Sequence, residues 1–468
     1  MVDVPLNATL TEGDSSAFAQ AQRDIAARME RIPLTRTQIK ARIVVGTATF
    51  FDGYDSLVIG LVMPVLAGAW HLSRPEIGFI LSGTFFGQLL GALLFPWLAE
   101  RYGRLRSASY SIWVVGLLGL ACAACWNFSS LLVARVIQGV GIGGEIPVAA
   151  TYINEIAHSK SRGRFFLMYE AAFAFGYLIC TLLAVLLVTS VGWQVMFLIG
   201  ALPAFVAAVM RRMLPESPRW LASKGRADEA NAIVSQMEGE AKQKLGGELP
   251  APDYSVAPPP VGIRTNLFEL FTPFYRMRTL AVWSIWGCSF FVTQALNSWL
   301  PTIYRQDLHL SIQQSLEFTL ATHALSIGSA IIVALAIDHT GRRRWIGSAL
   351  LIGSLSLLVL ALQGGTNPYI LLACAATAEF FLATVSVSIY VYTSELYPTR
   401  MRALGCGMGS TVRNVFTTLS PTLVAVMLSN YGLPGVFTML GLAPLIPCFM
   451  VLAFGTETKA RVLEEVSP

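Results

Sequence analysis

Twelve apolar stretches of about twenty residues, each closed off by charged or Pro/Gly-rich punctuation, decide what this chain can fold into. They run 43–68, 76–98, 107–126, 129–156, 165–189, 192–213, 279–303, 316–337, 345–363, 368–396, 403–430 and 433–455. A stretch of that length is what an α-helix needs to cross the hydrocarbon of a bilayer. With 54% hydrophobic and 13% charged residues over 468 positions, the chain carries more apolar surface than a soluble core could bury. The spacing predicts an all-α membrane protein of twelve transmembrane helices.

The stretches fall into two sets of six. Glu100-Arg101-Tyr102-Gly103-Arg104 returns in the second half as Asp338-His339-Thr340-Gly341-Arg342, each between two apolar stretches. Tyr152-x-x-Glu155 followed by Arg162 returns as Tyr392-x-x-Glu395 followed by Arg402, and Val191-Gly192 as Tyr431-Gly432. Six crossings bring a chain back to the side it left, so the repeats are parallel and related by an axis along the membrane normal. That symmetry suits alternating access. The expected layout is an N-terminal segment 1–42, a six-helix bundle 43–213, a linker 214–278, a second bundle 279–455 and a tail 456–468. The linker is polar, with an amphipathic helix expected around Arg226 to Glu240 and a Pro-rich stretch at Pro258-Pro259-Pro260.

Of the 33 Lys and Arg, all but Arg74, Arg305, Arg135 and Arg413 fall on one side if both termini are cytoplasmic. The formal net charge of +5 then belongs to the inner membrane face rather than to a nucleic-acid surface. The first 42 residues lack the apolar core and cleavage site of a secretory signal. A bacterial inner membrane is the expected location and a monomer the expected state. All seven cysteines lie in predicted helices; Cys122-x-x-Cys125 has no nearby His and reads as small packing residues. No metal-ligand cluster and no nucleophile–base constellation is visible, which argues against an enzyme and against a cofactor other than a coupling proton.

The two basic loops resemble the cytoplasmic gating motif of the major facilitator superfamily, with Pro96, Ala334 and Glu100 departing from its usual residues. In that family the loop implicates Glu100, Arg101, Gly103, Arg104, Asp338, Gly341 and Arg342 in gating, and Glu155, Arg162, Glu395, Arg400 and Arg402 at the same helix ends are expected to latch the two halves together. Arg135-x-x-x-Gly139-x-Gly141-x-Gly143 resembles a fourth-helix motif associated with proton coupling, and the fifth-helix motif of drug antiporters is missing. Pro215-Glu216-Ser217-Pro218-Arg219-Trp220, Gly144-Glu145-x-Pro147 and Glu395-x-Tyr397-Pro398-x-Arg400 resemble the branch holding bacterial niacin transporters, aromatic-acid/proton symporters and organic-ion transporters. Asp52-Gly53-Tyr54-Asp55 in the first helix resembles the aromatic-acid symporters.

Ionisable groups within membrane helices are expensive and usually face a cavity or a partner. Asp52 and Asp55 lie three residues apart, within about 60° on one helical face. That places them on one cavity wall, where mutual repulsion suits proton uptake and release; the alternative is that Asp52 caps a break at Gly53 or pairs with an Arg. Arg135 and Glu145 are separated by about 15 Å of helix rise and need partners elsewhere. Glu145 is either a proton site, a substrate contact or a buried neutral carboxyl, and Arg135 is coupling machinery or an ion-pair anchor. Arg413 in the eleventh helix is the expected substrate anchor, because its planar guanidinium matches a carboxylate bidentately; the alternative is a structural salt bridge to Glu379 or Asp55. Phe290, Phe291 and Tyr390 can stack a flat ring, and Gln294 and Asn297 can orient its substituents. His323 either titrates or packs through a hydrogen bond.

The combined expectation is proton-coupled uptake of a small aromatic or heteroaromatic monocarboxylate, nicotinate or a hydroxybenzoate-like acid. A sugar or polyol symporter is the alternative, and a transporter-like sensor a more distant one.

Overall fold

The computed structural model describes residues 12–156, 162–254 and 267–459. A polar helix α1 (Glu12–Glu30) precedes the first half of the bundle, α2 (Arg36–Ala69), α3 (Arg74–Tyr102), α4 (Arg104–Ala123), α5 (Phe128–Ile156), α6 (Arg162–Leu187), α7 (Gln194–Gly200) and α8 (Pro203–Met213). Two polar helices, α9 (Pro218–Ser223) and α10 (Ala227–Leu245), occupy the linker. The second half comprises α11 (Arg276–Gln306), α12 (Ile312–Thr340), α13 (Arg342–Gln363), α14 (Pro368–Leu396), α15 (Thr399–Leu442) and α16 (Leu445–Phe454). The twelve predicted crossings are all present, arranged as two six-helix bundles.

Local chemistry sets the helix ends. Thr35 and Gln38 exchange side-chain and backbone hydrogen bonds at the start of α2, and Ser311 with Gln314 does the same for α12. Asn367 and the following proline open α14. Two predicted crossings are not continuous. The sixth is split between Gly200 and Pro203 and the twelfth between Leu442 and Leu445, each beside a proline that has no N–H to donate to the helical ladder. The eleventh and twelfth crossings share one helical trace, divided by Gly432 at φ 64°.

The segment before the first crossing is also more structured than expected. Helix α1 docks on the linker helices: Glu238 of α10 accepts from Arg28 at 2.9 Å and Arg31 at 2.7 Å, and Arg219 pairs with Glu30 at 2.8 Å. Burial pushes the Glu238 carboxyl up, but the two arginines outweigh it and hold it below the usual range. The predicted amphipathic linker helix is α10. Pro258 to Pro260, the first eleven residues and the tail beyond Lys459 lie outside the described residues.

The repeat seen in the sequence is a repeated clamp in space. Helices α3 and α12 end at Gly103 (φ 114°) and Gly341 (φ 90°), a backbone shape that suits glycine. Since glycine offers no capping side chain, the first N–H groups of α4 and α13 turn to distant carboxylates. Glu216 accepts from Leu105 N at 3.0 Å, and Glu457 accepts from Arg342 N at 3.0 Å and Arg343 N at 3.2 Å. Arg104 pairs with Glu155 at 3.0 Å and with Glu100 at 2.8 Å; Arg342 pairs with Glu395 at 3.2 Å. Tyr152 and Tyr392 donate to the carbonyls of Pro215 and Thr456, which adjoin the two glutamates. Arg101 instead lies over Trp97 and Tyr102.

These pairs correct the expectation of latches between halves: Arg104–Glu155 lies within the first half and Arg342–Glu395 within the second. The basic side chains are committed to their own bundle because their carboxylate partners, Glu155 on α5 and Glu395 on α14, lie near the ends of helices of the same half. Arg402 makes no ion pair among the described residues, and the side chains of Arg162, Asp338 and Arg400 lie outside them.

The halves meet across α2 and α11, α3 and α15, and α6 and α12. Gly78 packs on Pro421 and Ala425, Ser82 and Thr422 hydrogen-bond at 2.7 Å, Arg74 pairs with Asp307 at 2.7 Å, and Thr189 donates to Gln313 at 3.1 Å. All of these lie toward the end remote from the basic loops. The glycines of the fourth-crossing motif serve packing within the first half: a Cβ on Gly139 would sit 2.1 Å from the Thr84 carbonyl, and one on Gly143 2.1 Å from that of Gln88.

Candidate functional site: a central cavity between the halves

A cavity of about 530 Å³ lies between the halves, lined by α2, α3, α5 and α6 on one side and α11, α12, α14 and α15 on the other. Its size suits a small ligand. The remote end is closed by Gly60 against Asn297 and Ser298, and by Thr181 hydrogen-bonding His323 at 2.9 Å.

Arg413 reaches this cavity from α15. Its guanidinium carbon stands 4.4 Å from the centre of the Phe290 ring, which stacks on Trp286 at 5.6 Å and 13°. Trp286 is fixed by donating to Thr393 at 3.1 Å and by the bare backbone of Gly409, where a Cβ would lie 2.6 Å from the indole nitrogen. The Arg413 N–H groups make no hydrogen bond, and no carboxylate lies within 4.0 Å, among the described residues. The alternative of a salt bridge to Glu379 or Asp55 is therefore not realised. A cation held on one face by an aromatic ring keeps its in-plane donors available to a planar anion.

A second polar group crosses the cavity from half to half. Thr181 bonds His323 Nδ1, His323 Nε2 bonds Asn297 Oδ1 at 3.0 Å, and Glu379 lines the cavity beside them. Gln294, also in the lining, donates to Ser298 at 2.6 Å. Tyr177 and Phe173 of α6 face these groups. His323 was open in the sequence between titration and packing; it is buried, hydrogen-bonded at both ring nitrogens, and in the lining.

Two expected ring contacts are placed elsewhere. Phe291 packs edge-on to Phe416, outside the lining, because one helical step from Phe290 turns it by about 100°. Tyr390 stands edge-on to Trp286 at 4.6 Å, one ring removed from the cavity.

The first-half carboxyls do not share a cavity wall. Ser56 and Ile146 line the cavity, whereas their neighbours Asp55 and Glu145 turn into the interior of the first bundle. Asp52 meets Glu145 of α5. Asp55 faces Gly200, where a Cβ would lie 2.6 Å from its Oδ1, and its carboxylate makes no hydrogen bond among the described residues. Arg135 is fully buried beside it, donating to Thr84 at 2.9 Å, Gln138 at 2.7 Å and the Asp55 carbonyl at 3.1 Å. Helix α2 runs unbroken through Gly53, so Asp52 caps no break; a Cβ on Gly53 would lie 2.3 Å from the Phe173 carbonyl. Glu145 is accordingly not a lining residue. Glu379, Tyr177, Gln88, Asn414 and Thr417 line the cavity without having been singled out as ligands. Of these, Glu379 gave a signal in the sequence, as a mid-helix charge and one of two candidate partners for Arg413.

The chain is 29% identical over 445 residues to the niacin transporter NiaP of Acinetobacter baylyi, covering 95% of this chain and 99% of that one. It is 28% identical over 440 residues to a gallate transporter of Pseudomonas putida, covering 92% and 95%. The fold is similar to the xylose transporter XylE from E. coli in a partially occluded inward-open conformation, with a TM-score of 0.70, 18% identity, and coverage of 91% and 99%. The family described as sugar (and other) transporter matches residues 41–468. By that match and by its paired six-helix bundles, this chain is a membrane transporter, not an enzyme, and belongs to the sugar (and other) transporter family of the major facilitator superfamily.

Proposed function

We propose that the protein takes up a small aromatic or heteroaromatic monocarboxylate together with protons, by rocker-switch alternation of its two halves. The observation that carries this reading is Arg413: a guanidinium stacked on Phe290, without a carboxylate partner among the described residues, in a cavity of mixed aromatic and amide lining. Such a group is costly in a membrane interior unless a ligand supplies the anion. A carboxylate takes its in-plane donors while Phe290 and Tyr177 flank the ring. Relatives named for niacin and gallate transport support the same substrate class. A sugar could use the amides and hydroxyls of this lining but would leave the Arg413 cation without a counter-charge.

Proton coupling falls to the buried first-half groups. Asp55 beside Arg135 is the proposed carrier, and Asp52 with Glu145 the partner pair, since two carboxyls in contact need a proton between them. Asp55 faces Gly200, at the break in the sixth crossing, where protonation reaches a joint that can flex. With the basic loops and both termini on the cytoplasmic side of a bacterial inner membrane, the halves are closed outside and the described arrangement faces inward. The clamps around Gly103 and Gly341 then keep each half rigid while it rocks.

The test is equilibrium binding of labelled nicotinate and 4-hydroxybenzoate to purified protein, its Arg413→Ala variant and its Arg413→Lys variant. Loss of a charge-assisted bidentate contact of about 3–4 kcal/mol lowers affinity by roughly two to three orders of magnitude in Ala, with partial recovery in Lys. Unchanged affinity in Arg413→Ala removes the proposed clamp.

A further inference from the structure

We infer that Glu379 is a second pole of the cavity, selecting aromatic carboxylates that carry a hydrogen-bond donor, a phenolic hydroxyl or an amine, across the ring from the carboxylate. The inference rests on the Arg413 reading and adds a demand on the other end of the substrate. Glu379 projects from α14 into the same cavity as Arg413 and is 6% exposed. Asn297 lies beside it in the lining; Oε2 is buried and has no hydrogen-bond partner among the described residues.

The surroundings fix where that oxygen can look for a donor. From α11 comes Asn297, its Oδ1 already bonded to His323; from α12 comes His323, whose two nitrogens are occupied by Asn297 and Thr181. From α6 comes Tyr177, and from α15 comes Arg413, which makes no ion pair with Glu379. Opposite charges that line one cavity without touching leave space between them for a molecule with complementary ends. Its carboxylate meets Arg413, its ring lies against Phe290, and its donor meets Oε2.

A plain aromatic acid would leave a buried acceptor facing a ring edge, and sites built around such an acceptor reject analogues that lack the donor. A ring nitrogen that only accepts would need Glu379 in its protonated form. Asn297 beside this pole is held by His323 of the same half, and His323 in turn by Thr181 of the other half. Selection for the donor is therefore coupled to the contact that closes the remote end.

The experiment measures binding of benzoate, 4-methoxybenzoate, 4-hydroxybenzoate and 4-aminobenzoate to the purified full chain and to Glu379→Gln. In the parent protein the two donor-bearing acids bind about 10- to 100-fold tighter than benzoate and 4-methoxybenzoate, the worth of one hydrogen bond to a charged group. In Glu379→Gln, which keeps only a neutral acceptor, that ratio falls about fivefold. Equal binding of all four acids to the parent protein, or an undiminished ratio in the variant, overturns the inference and leaves the Arg413 reading standing. Failure of every acid to bind the parent protein sinks both. The parent ratio needs no variant to fold, and 4-methoxybenzoate separates the donor from the size of the substituent.

Discussion

Replacing Glu216 or Glu457 by alanine removes an acceptor that the backbone cannot replace. At α4 the carboxylate receives Leu105 N at 3.0 Å and also the N–H of Ser217 at 3.0 Å; at α13 it receives Arg342 N, Arg343 N and Thr458 N between 3.0 and 3.2 Å. A hydrogen bond to a charged group contributes about 1.5–3 kcal/mol, and an anion at a helix N-terminus about 0.3–1 kcal/mol more. Both glutamates sit at the membrane surface with partial access to water, which puts each alanine substitution near the lower part of the sum, about 2–3 kcal/mol. Gln keeps one neutral acceptor and should cost about 1 kcal/mol. The two clamps share no residue, so the double variant should lose close to the sum. Thermal unfolding of the purified protein in detergent reads this as a fall of roughly 2–3 °C for each single variant, since the unfolding entropy grows with chain length. A Gly103→Ala variant should fall at least as far, since its methyl would lie 2.4 Å from Glu216 Oε2 on a backbone at φ 114°. Single variants that melt within about 1 °C of the parent protein would refute the clamp as a source of stability.

Asp55→Asn should abolish accumulation against a gradient while leaving substrate exchange intact, and concentrative uptake by this variant would rule out Asp55 as the proton carrier. Gly139→Leu should separate α3 from α5, whose backbones approach too closely for any side chain, at a cost of about 1–3 kcal/mol or more; a monodisperse variant melting like the parent would contradict that packing. Because Arg28 and Arg31 hold the Glu238 carboxyl low, its contribution to docking α1 is present above the unfolded value of about 4.3 and is lost as pH falls through the lower folded value. Hydrogen exchange in α1 should thus stay slow from neutral pH to mildly acid and quicken only below about pH 4, whereas Glu238→Gln should exchange fast at neutral pH; slow exchange in that variant would count against the docking pairs.

The crossings were legible because each repeats the length a bilayer demands, and the duplication because the loops between them carry glycine and charge at matching places. Arg413 was legible for the same reason: a charge so deep in an apolar run has few uses. What sequence periodicity leaves open is the neighbour a face meets. Asp52 and Asp55 were placed correctly on one side of α2, but that side faces α5 and the broken sixth crossing rather than the cavity, which begins at Ser56. Phe291 and Tyr390 share helices with lining residues and differ from them by a rotation that depends on packing with α15 and on Trp286. Glu216 and Leu105 are far apart in the chain, so no local pattern announces their bond. Helix α1 was missed because its amphipathic face is weakly apolar and is held by arginine–carboxylate pairs to a linker helix. Glu379 was visible as a charge, yet its place opposite Arg413 depends on how α14 and α15 sit around α11.

The central claim is tested most directly by uptake of labelled nicotinate into proteoliposomes with an inward proton gradient, competed by benzoate, 4-hydroxybenzoate, nicotinamide and glucose. Gradient-dependent uptake blocked by the carboxylates but not by nicotinamide or glucose is the predicted result. Uptake indifferent to the gradient, or blocked by glucose alone, would contradict it.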